Sequence, residues 1–411
     1  MIKKTCWAMA FVLLSPLGVA VAGEPTCRVL AERVGQESGD GPIFLRSYDG
    51  ASGQGSPDDI ALSTVAFTYD NALAAIALVA CSHVPEARRI GEALRLAALH
   101  DRSGEPGRVR NAYRAGPQPS SPPPNGWWDK RANQWLEDDY QVGTSTGSVA
   151  WAALALLTLG QATKEASFTD AAAILAGWAV ERTSDRRGAG GFTGGVFGSE
   201  ATPRPLTWKA TEHNVDLEAV FRGLEGAGAP GPWRTQAKVA RAFLRAQWEP
   251  QEKRFLIGTL PDGVTANYGA SGLDANLWPQ LLPHPDPEWK NAIAFVERKH
   301  GVDGGFSFNH DRGGLWTEGT AQAALTYRVL GQSAKADALF ATLAALQSPG
   351  GYLWATREDK ITTGLAIGPE SVTADLYYYR LPHLGATAWA ALDAIGWNPL
   401  RPEGRNTLTI R

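Results

Sequence analysis

With three cysteines, two methionines and seven histidines in 411 residues, the chain has little sulfur or imidazole to work with. Beyond the first 22 residues only Cys27 and Cys81 remain. Two thiols build neither a disulfide scaffold nor a cysteine-zinc centre. The histidines are scattered, and no second histidine follows His213 at the four-residue spacing of a helical zinc pair. A glycine-rich phosphate loop, a nucleophile elbow and a dinucleotide fingerprint are all missing. Glycine pairs such as Gly190-Gly191 lack the strand–loop–helix setting those motifs need. The net charge of −3 provides no field to recruit nucleic acid or an anionic membrane. Past residue 22 no apolar run is long enough to cross a bilayer. The expectation is a chain without metal, cofactor, nucleic-acid partner or membrane insertion.

The opening segment reads as an address. Lys3 and Lys4 precede an apolar run from Trp7 to Leu14, and Ala20-Val21-Ala22 fits a small-x-small cleavage site. Residues 1–22 are expected to be a cleaved signal peptide, giving a periplasmic or secreted protein. Export would let Cys27 and Cys81 oxidise. Two buried free thiols fit the sequence equally.

What the sequence does contain is one phrase used six times: a polar or glycine-bearing cluster running into a short, alanine-rich apolar stretch. The openings are Tyr69-Asp70-Asn71, Thr144-Ser145-Thr146-Gly147, Thr211-Glu212-His213-Asn214, Ser271-Gly272-Leu273-Asp274, Trp316-Thr317-Glu318-Gly319 and Leu384-Gly385-Ala386-Thr387. Their spacing averages about 63 residues, the mark of repeated supersecondary units. Between them lie five amphipathic segments, near 85–100, 168–183, 232–247, 286–300 and 334–347. In the first of these Ala87, Ile90, Ala93, Leu94 and Ala97 make a single stripe. Helices without a polar face belong inside, and striped helices belong around them. Two concentric rings follow. The sixth outer position is left to 27–34 at the N-terminus, so the expected fold is an all-α (α/α)6 toroid over residues 23–397, with a polar tail at 398–411. Long glycine- and aromatic-rich joints precede the inner helices and predict short β-hairpins on one face. The longest insertion, 103–140, carries Trp127-Trp128 and is expected to form a lid or cleft wall.

Four carboxylates stand at inner-helix starts: Asp70, Glu212, Asp274 and Glu318. One acid there is explained by capping and by the helix dipole. Four at one end of one ring converge on a shared funnel. Glycoside hydrolysis needs a proton donor and a second carboxylate across the scissile bond, and burial or a like charge keeps one acid protonated. Glu212 is the expected general acid, with Asp70 or Glu318 as its partner. His213, Asn214 and Asp274 are expected to orient sugar or water. Trp316, Trp208 and Trp128 would stack on sugar faces, where a core role is the plainer alternative. Arg110 lies in a basic stretch with Arg108, Arg114, Lys130 and Arg131, and would meet an anionic group unless the loop is simply solvated.

On these six openings and their acid-bearing phrases the chain resembles the six-hairpin glycosidase superfamily. The resemblance implies an (α/α)6 barrel with its cleft at the inner-helix N-termini. It also implies enzymes acting on sugars: hydrolases, lyases and epimerases. The first expectation is an exported glycoside hydrolase acting on an oligo- or polysaccharide. The alternatives are a lyase for an acidic glycan, using Tyr113, Tyr268, Tyr377 or His213 as base, and a non-catalytic glycan-binding or envelope-assembly protein.

Overall fold

The structure is a computed structural model that describes residues 24–51, 57–373 and 376–402. The expected signal peptide lies outside the described residues, as does the chain from 403 onward. Thirteen helices appear among the described residues: α1 (Glu24–Gln36), α2 (Pro57–Leu62), α3 (Thr68–Ala80), α4 (Val84–His100), α5 (Thr146–Thr163), α6 (Ala166–Thr183), α7 (Thr211–Gly226), α8 (Trp233–Gln247), α9 (Leu273–Leu277), α10 (Ala292–Lys299), α11 (Thr317–Val329), α12 (Ser333–Ala345) and α13 (Leu384–Ile395). None is long and apolar enough to cross a membrane.

Helices α3, α5, α7, α9, α11 and α13 form a closed ring, each packed on the next and α13 on α3. They are the alanine-rich segments; α3, for example, is buried without a break from Asn71 to Val79. Small side chains and no polar face leave such a helix nowhere to go but the interior. The outer helices each bury one stripe. In α8 this is Trp233, Ala237, Ala240, Arg241, Phe243, Leu244 and Gln247. Helix α1 packs against α13, α3 and α4 and so occupies the sixth outer position. The fold is the expected (α/α)6 toroid.

The fourth unit departs from expectation. A full inner helix was expected after Asp274, but α9 has five residues and gives way to a 3-10 turn, Trp278–Gln280. Pro279 explains the break, because proline offers no N–H to an α-helical bond and crowds the preceding turn. The carbonyls just beyond the 3-10 turn are met from the far end of the chain. Asn398 Nδ2 donates to Leu281 O at 2.7 Å, and Arg401 reaches the carbonyls of Leu281 and Leu282 at 3.2 Å each. The start of the expected polar tail is therefore a packed piece of the toroid, with Leu400 fully buried.

On the face where the inner helices begin, short strands pair off. Thr144–Ser145, Gly195–Phe197 and Arg204–Leu206 make a three-stranded sheet, and the rest are two-stranded. A recurrent polar clamp holds these loops to the helices. Asn71, Asn214 and Asn276 each donate to the carbonyl four residues back and accept from a strand N–H, that of Leu45, Phe192 and Phe255 respectively. Thr320 and Thr387 do the same with one hydroxyl, bonding Trp316 O and Phe306 N, and His383 O and Leu353 N. In the second unit the corresponding place is held by Val149, which has no polar side chain, and the neighbouring Ser148 bonds the Asn111 side chain instead.

Cys27 of α1 and Cys81 at the end of α3 are joined by a disulfide, with Cα atoms 5.7 Å apart and 54 residues of sequence between them. The bond ties the closing helix to the first inner helix. Cross-links of this span are worth about 2–4 kcal/mol. The double variant Cys27→Ala/Cys81→Ala should therefore lose about that much unfolding free energy in urea titration while keeping its helical circular dichroism. Two freely titrating thiols in the native wild-type protein would contradict the link.

Candidate active site

Superposing the six openings on their clamp residues reveals a second register. Counted from the helix starts, two positions before Asn71, Val149, Asn214, Asn276, Thr320 and Thr387 stand Tyr69, Gly147, Glu212, Asp274, Glu318 and Gly385. Three of these six are acids. They meet one another across the ring at its N-terminal end: Asp274 acts electrostatically on both Glu212 and Glu318, and Asp70 acts on Glu318. The four expected acids thus share one site.

On one side of it Glu318 is buried between helices. Its Oε1 accepts from Tyr69 Oη at 2.5 Å and from Gln322 Nε2 at 3.3 Å. Tyr69 Oη in turn accepts from Trp389 Nε1 at 2.9 Å. His383 stands beside the pair, with Nε2 3.2 Å from Asp70 Oδ2 and Nδ1 3.8 Å from Glu318 Oε2. The same Nδ1 accepts from the backbone N–H of Ala386 at 3.2 Å and so caps α13. That bond leaves the ring proton on Nε2, facing Asp70. Gly385 makes the arrangement possible, since a Cβ there would lie 2.6 Å from Asp70 Oδ1 and 3.0 Å from Glu318 Oε2.

Asp70, Glu318 and His383 also have the composition of a metal site. The fit is poor. Both imidazole nitrogens are engaged, one by a backbone donor and one by its own proton toward Asp70, so His383 has no lone pair to give. The trio reads as a proton-sharing network.

On the other side, Glu212 and His213 are partly exposed, while Asp216 and Asp274 are buried. Glu212 Oε2 and both oxygens of Asp216 have no hydrogen-bond partner of good geometry within the protein. Asp274 Oδ1 accepts from Ala275 N at 2.7 Å. Trp208 leans on the His213 ring at 5.7 Å between centroids.

Beneath the acids lies an apolar floor. Trp151, Trp278 and Trp389, from the second, fourth and sixth inner segments, meet on the axis with centroids 5.3–6.0 Å apart. Tyr69 packs edge-on against Trp151. Carboxylates held over such a floor lose water without gaining cations, which favours the protonated form. Burial, then the charge of Asp274, holds Glu212 well above the usual carboxylate range. Burial pushes Asp274 up to about 6. It pushes Glu318 up to about 7, with Asp70 adding to the rise and His383 opposing it. Asp216 is raised by burial, then by Glu212 and Asp274. Burial lowers His213 to about 4, so this imidazole is neutral. Burial also works against the His383 cation, yet the Asp70 and Glu318 carboxylates prevail and its proton is held more tightly than usual.

Three residues expected to touch substrate are corrected by their surroundings. Arg110 is fully buried, gripping Asp101 through Nε and Nη2 at 3.0 Å and donating further to Val142 O and Glu200. It holds the insertion together. Asn214 is buried as a clamp. Trp316 is buried against Phe308 and Tyr378, so neither face is open to a sugar. Trp208 keeps a partly open position beside His213. Trp128 is exposed on the Trp127–Asp129/Gln134–Leu136 hairpin. Sequence reading gave no role to Tyr69 or His383. The first stands in the acid register. The second directly precedes Leu384-Gly385, a spacing that the clamp alignment exposes.

No family model and no curated protein sequence matches this chain. Solved structures do. A glycosidase in complex with glucose superposes with a TM-score of 0.59 at 14% identity, over 93% of this chain and 99% of that one. A cellobiose 2-epimerase from Spirochaeta thermophila gives 0.62 at 14%, over 91% and 96%. A GH76 alpha-mannanase from Bacteroides thetaiotaomicron gives 0.56 at 12%, over 91% and 94%. These likenesses establish the shared toroid.

Glu318 carries a pH signature. Unfolded, it titrates near 4.5, and folded, at about 7. Between those values the folded state holds more protons, so stability falls as pH rises through the window. Replacing it by an uncharged isostere should remove that contribution. Glu318→Gln should gain on the order of 1 kcal/mol or more relative to wild type between pH 4.5 and 7, measured by urea unfolding at both ends. Identical pH slopes for the two proteins would show that Glu318 ionises normally.

Proposed function

We propose that this protein is a glycoside hydrolase acting on an oligo- or polysaccharide. The observation that carries the reading is Glu212: a partly exposed residue whose carboxyl is lifted well above its usual range by burial and by Asp274, with Oε2 enclosed and free of any protein partner. Such a group keeps its proton to higher pH than an ordinary carboxyl, as a general acid must. Glu318 or Asp70 supplies the second carboxylate. Glu318 accepts hydrogen bonds from Tyr69 and Gln322 through Oε1, and its enclosed Oε2 has no protein partner. Asp274 maintains the raised proton affinity of Glu212, and His213 with Trp208 forms the neighbouring wall. The glycosidase, the epimerase and the mannanase that share the fold all act on sugars, which supports the same substrate class.

A lyase for acidic glycans would need a cation beside the uronate. The insertion offers none at the acids: Arg110 is locked to Asp101, Arg108 is buried, and Arg114 lies over the Trp135 ring. A tight ring of carboxyl groups favours a neutral sugar. Export remains part of the proposal, supported by the Cys27–Cys81 disulfide, since such bonds persist in oxidising compartments.

The test is Glu212→Gln on neutral oligosaccharides. Turnover should fall about 10²–10⁴-fold, while urea stability and sugar binding stay near wild type. A fully active but less stable variant would make Glu212 a structural acid and overturn the assignment.

A further inference from the structure

The acids are buried unevenly around the ring. Asp70, Glu318 and His383 are at most 2% exposed, whereas Glu212, His213 and Trp208 are open in part. Two groups of side chains cover the first set. Tyr48 stacks on the His383 ring at 4.6 Å, and Tyr378 meets it edge-on at 5.8 Å while also touching Trp316. Tyr140, from the long insertion, lies close enough to Asp70 to feel its charge.

Tyr378 belongs to a hairpin, Lys360–Thr362 with Tyr377–Tyr379, that rises just before α13. Its extension is held by Thr363 N to Leu376 O at 3.0 Å and Leu376 N to Leu365 O at 3.1 Å. At its tip Gly368 and Ser371 bond each other, N–H to carbonyl at 3.1 Å and N–H to hydroxyl at 3.2 Å. That tip does not rest on its own unit. Gly368 lies against the Phe197 ring so closely that a Cβ would be 2.5 Å from it. Glu370 pairs with Arg204 at 2.5 Å, and Arg204 covers Phe197 and also pairs with Asp139 at 3.0 Å. Phe197 and Arg204 sit in the loop that leads to α7, across the six-helix ring from α13. A strap from the sixth unit thus reaches the loops of the second and third units.

From this we infer that the enzyme takes its glycan by a free end. The strap spans the ring from the sixth unit to the loop before α7, and the tyrosine roof covers Asp70, Glu318 and His383. The remaining exposure lies at Glu212, His213 and Trp208. A polymer cannot be laid sideways under a strap seated on both walls, so a glycan enters by an end. The inference rests on the carbohydrate reading above and deepens it from hydrolase to exo-acting enzyme. The rim pair Arg204–Glu370 is exposed and worth little by itself. The Gly368–Phe197 contact seats the strap.

Binding tests this independently of turnover. Maltopentaose, cellopentaose and mannopentaose would be titrated against tryptophan fluorescence. Each would be paired with a copy capped at both ends, by a methyl glycoside and by a 4,6-O-benzylidene acetal. For whichever pentaose binds, the capped copy should bind at least about tenfold more weakly, the loss of a terminal contact costing about 1.4 kcal/mol or more. Equal affinity for the capped chain would overturn the inference. Products sharpen the result, because successive release of one short fragment supports it, whereas mid-chain cuts at the earliest times overturn it. Binding of the pentaose without turnover would defeat the hydrolase assignment and leave the chain-end inference to be judged by the caps. Failure of all three pentaoses to bind would overturn both. Gly368→Leu, which forces the tip off Phe197, should restore binding of the capped chain. Unchanged discrimination in a folded Gly368→Leu protein would remove the strap from the explanation.

Discussion

Tyr69, Glu212, Asp274 and Glu318 are positioned by one small device, a polar residue near the start of the inner helix that bonds back to its own turn and across to an incoming segment. Asn71, Asn214, Asn276, Thr320 and Thr387 all do this in buried surroundings. A buried donor or acceptor left unpaired costs about 1–3 kcal/mol, so the loops cannot slide along the helices without losing these bonds. Because the device repeats with the fold, the residue two positions earlier is delivered to the same height in each unit. Chemistry then depends only on what occupies that place, and in this chain three units supply acids.

The acids are expensive where they stand. Trp151, Trp278 and Trp389 fill the axis below them and exclude water. Among the described residues no lysine or arginine joins the group, so like charges accumulate. The site responds by keeping protons, and several carboxyl groups are raised together. This arrangement opposes folding at neutral pH. It is offset by the long buried alanine faces of the inner ring and by the disulfide that fastens α1 to α3. His383 unites the two demands, capping α13 through Nδ1 while presenting Nε2 to Asp70.

Sixfold repetition is broken where access is decided. Pro279 shortens the fourth inner helix, and residues 398–401 return to bond the carbonyls of Leu281 and Leu282 beyond it. Gly385 replaces an acid at the sixth position and makes room for Asp70 and Glu318 to approach each other. The hairpin before α13 crosses to Phe197, in the loop before α7. A symmetric scaffold thereby gains a contact between opposite units.

The two-ring fold, the closure by the N-terminal helix and the convergence of Asp70, Glu212, Asp274 and Glu318 were legible in the sequence. Each is written in local patterns: alanine-rich against striped helices, and acids at a fixed phase of a repeat. Burial of Arg110, Asn214 and Trp316 was not legible, because the sequence shows a side chain's chemistry but not the neighbours that use it up. Asp101 for Arg110, Phe192 for Asn214, and Phe308 with Tyr378 for Trp316 come from other segments of the chain. The same holds for His383, whose role depends on Asp70, 313 positions away in sequence. Periodicity along the chain therefore determined which residues share a height and a face. Only the tertiary structure decided which of them meet solvent, because exposure is set by contacts between loops that no local pattern encodes.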